Sequence, residues 1–538
     1  MNGADTAWVL VCAGLVLFMT PGLALFYGGM VPVRNVLTMM MQNIIPLGVI
    51  SVPWVLVGYT LAFSNAGNSV LGEFDAFALI SVDTPQFHTV AAGVTIPALA
   101  FVAYQMMFAV ITPALLTGAT AGRLRFAGWV VFLAAFSIII YPQVARWLWH
   151  PKGWLAQLGA QDWAGGMVVH ASAGAATVAV LLVVGRRRGW PNLKTSPNNL
   201  PLMLVGGGIL WFGWFGFNAG DGLQANDIAA QALINTHIAG AAAMLAWLVV
   251  ERISSGYSTL VGAVSGAVAG LATITPCAGF VGTGAALLIG LIAGCVCCFA
   301  VRLKQVFRYD DALDVIAVHF VGGVLGSFLL GFFGDSNVNP VGDDGVFSGG
   351  GGMLLWHQVV AIVSVVAFSF VLSWIIAAVI SRTMGLREPG PEQEDLDHVQ
   401  QGASGYSLSG ILTRPTAAGR AAVSSGSAGG AQGEEARAPR NPAPNHLISA
   451  VVNTERIDGL RDALLMAGAR SLELADAAVY TGKIRTEGFR NEKRRIDFED
   501  WLRVQAAVDA DHEEAVVAVL KRFGAEPDSI YRLAVTPY

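Results

Sequence analysis

The sequence predicts an all-α membrane protein of eleven transmembrane helices, followed by a small α+β domain. Three observations lead there. Of 538 residues, 54% are apolar and 13% charged, about half the charge content of a soluble globular chain. Charge is also segregated, with 15 of the 32 Lys and Arg in residues 1–387 and 17 in the remaining 151. The first 387 residues divide into apolar runs that, at about 1.5 Å per helical residue, are long enough to cross a hydrocarbon core of ~30 Å.

Those runs are residues 6–31, 36–63, 91–118, 126–149, 163–185, 200–220, 227–250, 258–275, 282–301, 312–333 and 356–381. Pro46, Pro53, Pro97 and Pro113 fall inside them, which a bundle tolerates because neighbouring helices satisfy the freed backbone groups. The apolar run from Ala7 is too long for a cleaved signal peptide, and no basic residue precedes it. With the N-terminus outside, thirteen basic residues of the membrane part fall on the inner side and only Arg146 and Lys152 outside. By the positive-inside rule the C-terminal part is then cytoplasmic.

Two motifs recur with five helices between their copies. Asp162 precedes His170 by eight residues in the fifth run, and Asp311 precedes His319 by eight in the tenth. "VITPAL" at 110–115 in the third run is echoed by "TITPCA" at 273–278 in the eighth. A 5+5 inverted repeat with one extra helix is the expected architecture, and it brings the two histidines to equivalent places on a pseudo-two-fold axis. Ionisable groups inside a membrane are costly and mark function by default. Paired imidazoles can share a hydrogen bond and so lower the cost of burial.

After residue 406 a Gly, Ala, Ser and Pro-rich stretch (407–444) reads as a flexible linker. Residues 445–538 then alternate as strand "HLISAVVN", helix "RIDGLRDALLMAG", strand "LELADAAVY", strand "FEDWLRVQAAVD", helix "HEEAVVAVLKRFG" and strand "SIYRLAVTPY". The order β-α-β-β-α-β predicts a ferredoxin-like fold. The net charge of −5 is too small to imply a nucleic-acid partner. All five cysteines lie in apolar segments without metal-ligand spacing and read as packing residues, so no metal is expected. No kinase, cyclase or transfer motif is present, and the chain is not expected to be an enzyme.

Several long stretches carry a resemblance. "ALFYGGMVPVRNVL" (24–37), "AYQMMFAVITPALLTGATAGRLRF" (103–126), "DWAGGMVVHASAG" (162–174), "GWFGFNAG" (213–220) and "DDALDVIAVHFVGG" (310–323) make residues 5–406 resemble the Amt/Mep/Rh ammonium transporter family, in its bacterial Amt branch. The resemblance implies an eleven-helix protomer, a homotrimer in the bacterial inner membrane, and a pore through each protomer. It implies that Phe108 and Phe217 form the stacked gate and that Trp149 walls the outer ammonium site. Trp214 would line the pore, His170 and His319 would be the twin histidines, and Asp162 would stand behind the recruitment site. No cofactor is implied.

One position departs from the family. Relatives carry a serine after "FNAG", whereas here it is Asp221, a carboxylate that would strengthen recruitment of a cation or else point into the loop with Asn226 and Asp227. Segment 385–406 resembles the family's regulatory tail, with Gly385, Asp397, Gly402 and Tyr406 at the recognisable positions. Residues 445–538 resemble PII nitrogen-signalling proteins. The usual glycine-rich nucleotide turn is replaced by "FGAEPDS" (523–529), but Lys483, Arg485, Arg490, Lys493, Arg494 and Arg495 form a basic loop suited to a nucleotide or other anionic effector. A separate PII protein is a further candidate partner. The resemblance implies ammonia passing an apolar pore while the proton moves along the histidines. The alternative is an ammonium sensor with little flux, and a gas channel of the Rh type is disfavoured by "GWFGFNAG".

Overall fold

A computed structural model of the chain describes residues 2–80, 96–191, 196–390, 395–406, 446–453, 460–489, 492–525 and 529–534. It divides into two compact units, Met1–Leu412 and Thr413–Tyr538. The expected linker, 407–444, lies outside the described residues.

In the first unit, α1 (Gly3–Met30), α2 (Val33–Phe63), α3 (Ala98–Thr120), α4 (Phe126–Leu158), α5 (Gly166–Val184), α6 (Leu200–Ala219) and α7 (Asp227–Ser255) are each long and apolar enough to span a bilayer. So are α9 (Thr283–Val306), α10 (Ile316–Phe333) and α11 (Met353–Thr383). The eighth expected run forms α8 (Leu260–Ile274), a shorter helix, so the described residues hold ten helices of spanning length and not eleven. α8 stops early because its chain enters turns after Ile274, where "TITPCA" lies, and Pro276 cannot continue the hydrogen-bond ladder.

The helices pack closely where side chains vanish. α1 and α6 share a seam in which a Cβ on Gly206 would lie 2.2 Å from the Phe26 backbone nitrogen, so only glycine permits the approach. Cys12, Cys277, Cys297 and Cys298 are buried, Cys295 is half-buried, and all five are free thiols.

Opposite the Trp149 end of the bundle, Asp310 is a fully buried hub. Its carboxylate accepts from Arg123 Nη1 at 3.0 Å and from Arg187 Nη2 at 2.7 Å, and the Arg187 backbone N–H adds a third bond. Burial alone would raise the Asp310 pKa, but the Arg187 hydrogen bonds and the Arg123 charge hold it below the usual carboxylate value. The hub ties the chain after α5 to the chain before α10, the two helices that carry the histidines.

Residues 385–390 and 395–406 fold onto the same end. Gly385 (φ 84°) and Gly402 (φ 64°) take left-handed conformations, and Gly402 closes α12 (Leu396–Gln401). Asp397, fully buried, accepts from the backbone N–H groups of Leu37 and Thr38 at 2.9 and 2.7 Å. Tyr406 donates to Asn198 Oδ1 at 2.8 Å. Asp397 thus caps the first turn of α2 from a distant part of the chain. Asp397→Ala is expected to cost about 1–2 kcal/mol locally and to raise hydrogen exchange across 395–406 without unfolding the bundle. Unchanged exchange in that segment would refute the capping role.

The second unit has an antiparallel sheet in the order β2-β3-β1-β4, built from β1 (His446–Asn453), β2 (Ala469–Phe489), β3 (Glu492–Val508) and β4 (Tyr531–Ala534). α13 (Leu460–Met466) and α14 (Glu513–Arg522) complete it. Ile448, Ala450 and Val452 alternate on β1 and are buried with Val504, Ala506, Val508, Leu464, Val516 and Leu520. Such a period of two places one strand face against the helices. The basic segment expected as a loop is instead largely strand. Arg485 pairs in register with Ile496, Glu487 with Arg494 and Gly488 with Lys493, after an irregularity between Tyr480 and Arg485. Cross-strand backbone pairing extends the hairpin past the apolar residues that mark its base. Lys483 and Arg495 also lie within these strands, and Arg490 lies outside the described residues.

Candidate functional site

The twin motifs "D-x7-H" build matching local structures. His170 sits in a π-helical turn, Gly166–Ala171, at the start of α5, and His319 in another, Ile316–Phe320, at the start of α10. π-turns within membrane helices are rare and concentrate at functional sites. Each turn is capped by its upstream aspartate. Asp162 Oδ1 accepts from the N–H groups of Gly165 and Gly166 at 3.1 and 2.6 Å, and Oδ2 from those of Met167 and Val168 at 2.8 and 2.9 Å. Asp311 accepts from Val315 at 3.1 Å and Ile316 at 2.7 Å. A carboxylate offers about four lone-pair directions, so Asp162 is saturated by backbone. It shapes the site without a free acceptor of its own.

The helices then cross at a second repeated position. Four residues after each histidine stands a glycine, Gly174 and Gly323. A Cβ on Gly323 would come 2.6 Å from His170 Cβ, and one on Gly174 would come 2.3 Å from Phe320 Cβ. These glycines were not singled out by the sequence analysis, although the spacing H-x3-G in both halves is a legible signal. They bring the imidazoles together, with ring centroids 5.3 Å apart and planes at 21°. The shared hydrogen bond that the sequence allowed is not formed. Both His170 nitrogens and His319 Nδ1 are buried without a hydrogen-bond partner. The reason is that the near-parallel rings stack face to face, which points their nitrogens past one another.

A continuous aromatic stack leads to the pair. Trp149 meets Phe108 edge-on at 5.7 Å, Phe108 and Phe217 lie 4.3 Å apart, and Phe217 stacks on His170 at 6.0 Å. Phe108 and Phe217 are fully buried and closed over the histidines, whereas Trp149 is half-buried at the end of the stack. Trp149 is held by its Nε1–H donating to the Asp162 carbonyl at 2.8 Å. Trp214 lies alongside, 5.5 Å from His170, and its indole N–H donates to Thr275 Oγ1 at 2.9 Å. Thr275 belongs to the repeated Ile-Thr-Pro motif, and it is a positioning residue that the sequence analysis left unassigned. Below Phe217 is a cavity of about 10 Å³, lined by Phe217, Trp214, His170, His319, Phe26 and aliphatic side chains. That is room for about one water-sized molecule.

Asp221 follows α6 directly, four residues past Phe217. It is half-buried, and its Oδ1 is fully buried without a hydrogen-bond partner. Burial and then the charge of Asp162 raise its pKa well above the usual carboxylate value. In the following loop, Asn226 caps α7 by accepting from the Ala229 N–H at 3.1 Å. No cluster of His, Cys, Asp and Glu able to hold a metal occurs among the described residues.

The arrangement offers a cation an aromatic end wall, a closed pair of rings, and a largely apolar cavity with two imidazoles. Aromatic faces attract a small cation by ~0.5–2 kcal/mol. The apolar cavity below admits a neutral molecule far more readily than an ion. Comparison with known proteins shows the family. A family model described as Ammonium Transporter Family matches residues 7–406. The chain is 43% identical over 408 residues to the ammonium transporter of Bacillus subtilis (strain 168), spanning 76% of this chain and 99% of that one. It is 42% identical over 431 residues to an ammonium transporter of Mycobacterium tuberculosis, spanning 75% of this chain and 90% of that one. Its fold matches the crystal structure of Candida albicans Mep2 with a TM-score of 0.69 at 31% identity, covering 76% of this chain and 94% of the other.

Proposed function

This chain belongs to the ammonium transporter family, and on that premise we propose that it moves ammonium by separating the ion into ammonia and a proton. The observation that carries the reading is the unbroken series Trp149, Phe108, Phe217, His170, His319, ending at a cavity of about 10 Å³. Trp149 and Asp221 recruit the cation at the outer mouth, with Asp162 fixing the wall behind them. Phe108 and Phe217 form a gate whose rings must part for each passage. Neutral ammonia then crosses the apolar cavity, because an unpaired charge there costs several kcal/mol or more. The proton travels along His170 and His319, with Trp214 holding the wall of the cavity.

The protomer works as a homotrimer in the bacterial inner membrane, with its N-terminus outside and its tail cytoplasmic. Counting the shorter α8 with the ten helices of spanning length gives eleven segments, which fit that orientation and the 5+5 repeat. The experiment is ammonium-evoked current from the full chain on a solid-supported membrane, with binding measured in parallel. Ammonium-dependent current is the expected result. Binding without current or uptake would favour the sensor, a reading that finds less support because the named relatives are transporters.

The second unit, 445–538, is a ferredoxin-like, PII-like regulatory domain in this reading, supported by its strand order β2-β3-β1-β4. Its basic hairpin takes a nucleotide or other anionic effector, and three copies tethered to a trimeric base meet at high effective concentration. Residues 385–406, with Gly385, Asp397, Gly402 and Tyr406, transmit the signal from tail to bundle. Deleting the chain after Tyr406 is expected to leave basal transport intact and to remove any ATP- or polyphosphate-dependent change in current. Equal responses from truncated and full-length protein would assign the domain to other partners, a separate PII protein included.

A further inference from the structure

Among the described residues, the carboxylates of Asp162 and Asp221 lie close enough to interact, and their hydrogen bonding separates their roles. Asp162 uses both oxygens to accept four backbone N–H groups, from Gly165, Gly166, Met167 and Val168. To take a proton it would have to release the π-turn that carries His170. Asp221 has no such duty. Its Oδ1 is buried and unpartnered, while the residue as a whole is partly exposed. The titratable groups that face it are Asp162, Tyr104, Tyr141 and, beyond Tyr104, Cys12. The Tyr104 hydroxyl is engaged, donating to the carbonyls of Gly216 and Phe217 at 3.0 and 2.9 Å. Among the described residues of the mouth, Asp221 Oδ1 is therefore the free base.

We propose that Asp221 is the proton acceptor at which ammonium is split, one helical turn outside the Phe217 ring. This rests on the transport reading above. An ammonium ion in contact with the carboxylate loses one proton: its N–H bond breaks, the electron pair stays on nitrogen as the lone pair of ammonia, and an O–H bond forms on the carboxylate, whose negative charge both oxygens share. The summed charge is zero before and after. Both products are neutral, and a low-dielectric site favours neutral partners over an ion pair, because burial penalises the charged form of each. Ammonia then passes Phe108 and Phe217. The carboxyl re-ionises by handing its proton inward, where the unpartnered nitrogens of His170 and His319 are the next buried bases. The upward shift of the Asp221 pKa agrees with this, since a more basic carboxylate accepts a proton from ammonium more readily.

The test compares full-length wild type with Asp221→Asn, Asp221→Ser and Asp221→Glu in proteoliposomes. Maximal current at saturating ammonium is recorded against external pH, and ammonium binding is followed by tryptophan fluorescence. Wild-type current is expected to fall as external pH drops through the titration of Asp221, because the protonated acid cannot accept. Asp221→Asn and Asp221→Ser are expected to lose about tenfold or more of the maximal current and to lose that acidic limb. Asp221→Glu keeps both. If the asparagine variant does not fold, as read by gel filtration, the serine variant carries the test. A variant whose half-saturation shifts while its maximal current and pH profile match wild type overturns the proposal and leaves Asp221 a recruiting charge alone. Absence of both current and uptake in the wild type would instead defeat the transport reading itself.

Discussion

Ammonium-evoked current is expected to fall by roughly 100-fold when His170 and His319 are both replaced by alanine, the scale on which removal of a positioned proton-transfer group is felt. The two rings lie 5.3 Å apart, buried to 1% and 4% exposure, with three of their four nitrogens unpartnered in an otherwise apolar cavity. No other ionisable side chain lines that cavity. Loss of both rings leaves a wider apolar channel that passes ammonia without its proton, so current and uptake should separate. The bundle should survive, since the π-turns are held by Asp162 and Asp311 and not by the imidazoles. Each single substitution should already cost most of the effect, because residues acting as a unit are not additive. Full current from a folded double variant would remove the histidines from the proton path.

Asp162→Ala is expected to be the most damaging single change to the fold of the site. It orphans four buried amides at once, at Gly165, Gly166, Met167 and Val168. Each buried donor left unsatisfied costs about 1–3 kcal/mol, so the total is large against a stability of about 5–15 kcal/mol. The π-turn carrying His170 would relax, and the Trp149 indole, which donates to the Asp162 carbonyl, would lose its fixed support. Asp162→Asn should be nearly as severe, because its NH2 group faces donors with another donor. Thermal melting of the purified full-length protein reads the effect. A melting temperature equal to wild type would show that water or another group satisfies the turn, and that Asp162 is not its cap.

Much of the site was legible before any coordinates. The eight-residue spacing from Asp162 to His170 and from Asp311 to His319 marked the pair, because an ionisable residue in an apolar run is costly enough to need a reason. The fate of the two aspartates was less legible. The resemblance placed Asp162 behind the recruitment site as a holder of backbone groups, but which amides it takes, those of Gly165, Gly166, Met167 and Val168, is a matter of local π geometry that no propensity scale encodes. The basic segment at 481–495 read as a loop because its run of charges suits a solvated face. Pairing with 492–496 overrode that preference.

What the sequence determined by itself was the membrane class, the repeat, the residue types along the pore and the odd carboxylate at 221, since composition, period and spacing are properties of the chain alone. What only the tertiary structure decided was how those groups meet. The imidazoles stack without a shared hydrogen bond because glycines at 174 and 323 let two helices cross at contact distance. α8 falls short of spanning length because the turns around Pro276 end it, while their backbone carbonyls accept from Trp163 and Ala164. Asp221 keeps a free buried oxygen where Asp162 does not, because Asp162 is saturated by amides that reach it only in the folded turn. A hydrogen-bond inventory is a property of distances, and distances between residues far apart in the chain exist only once it has packed.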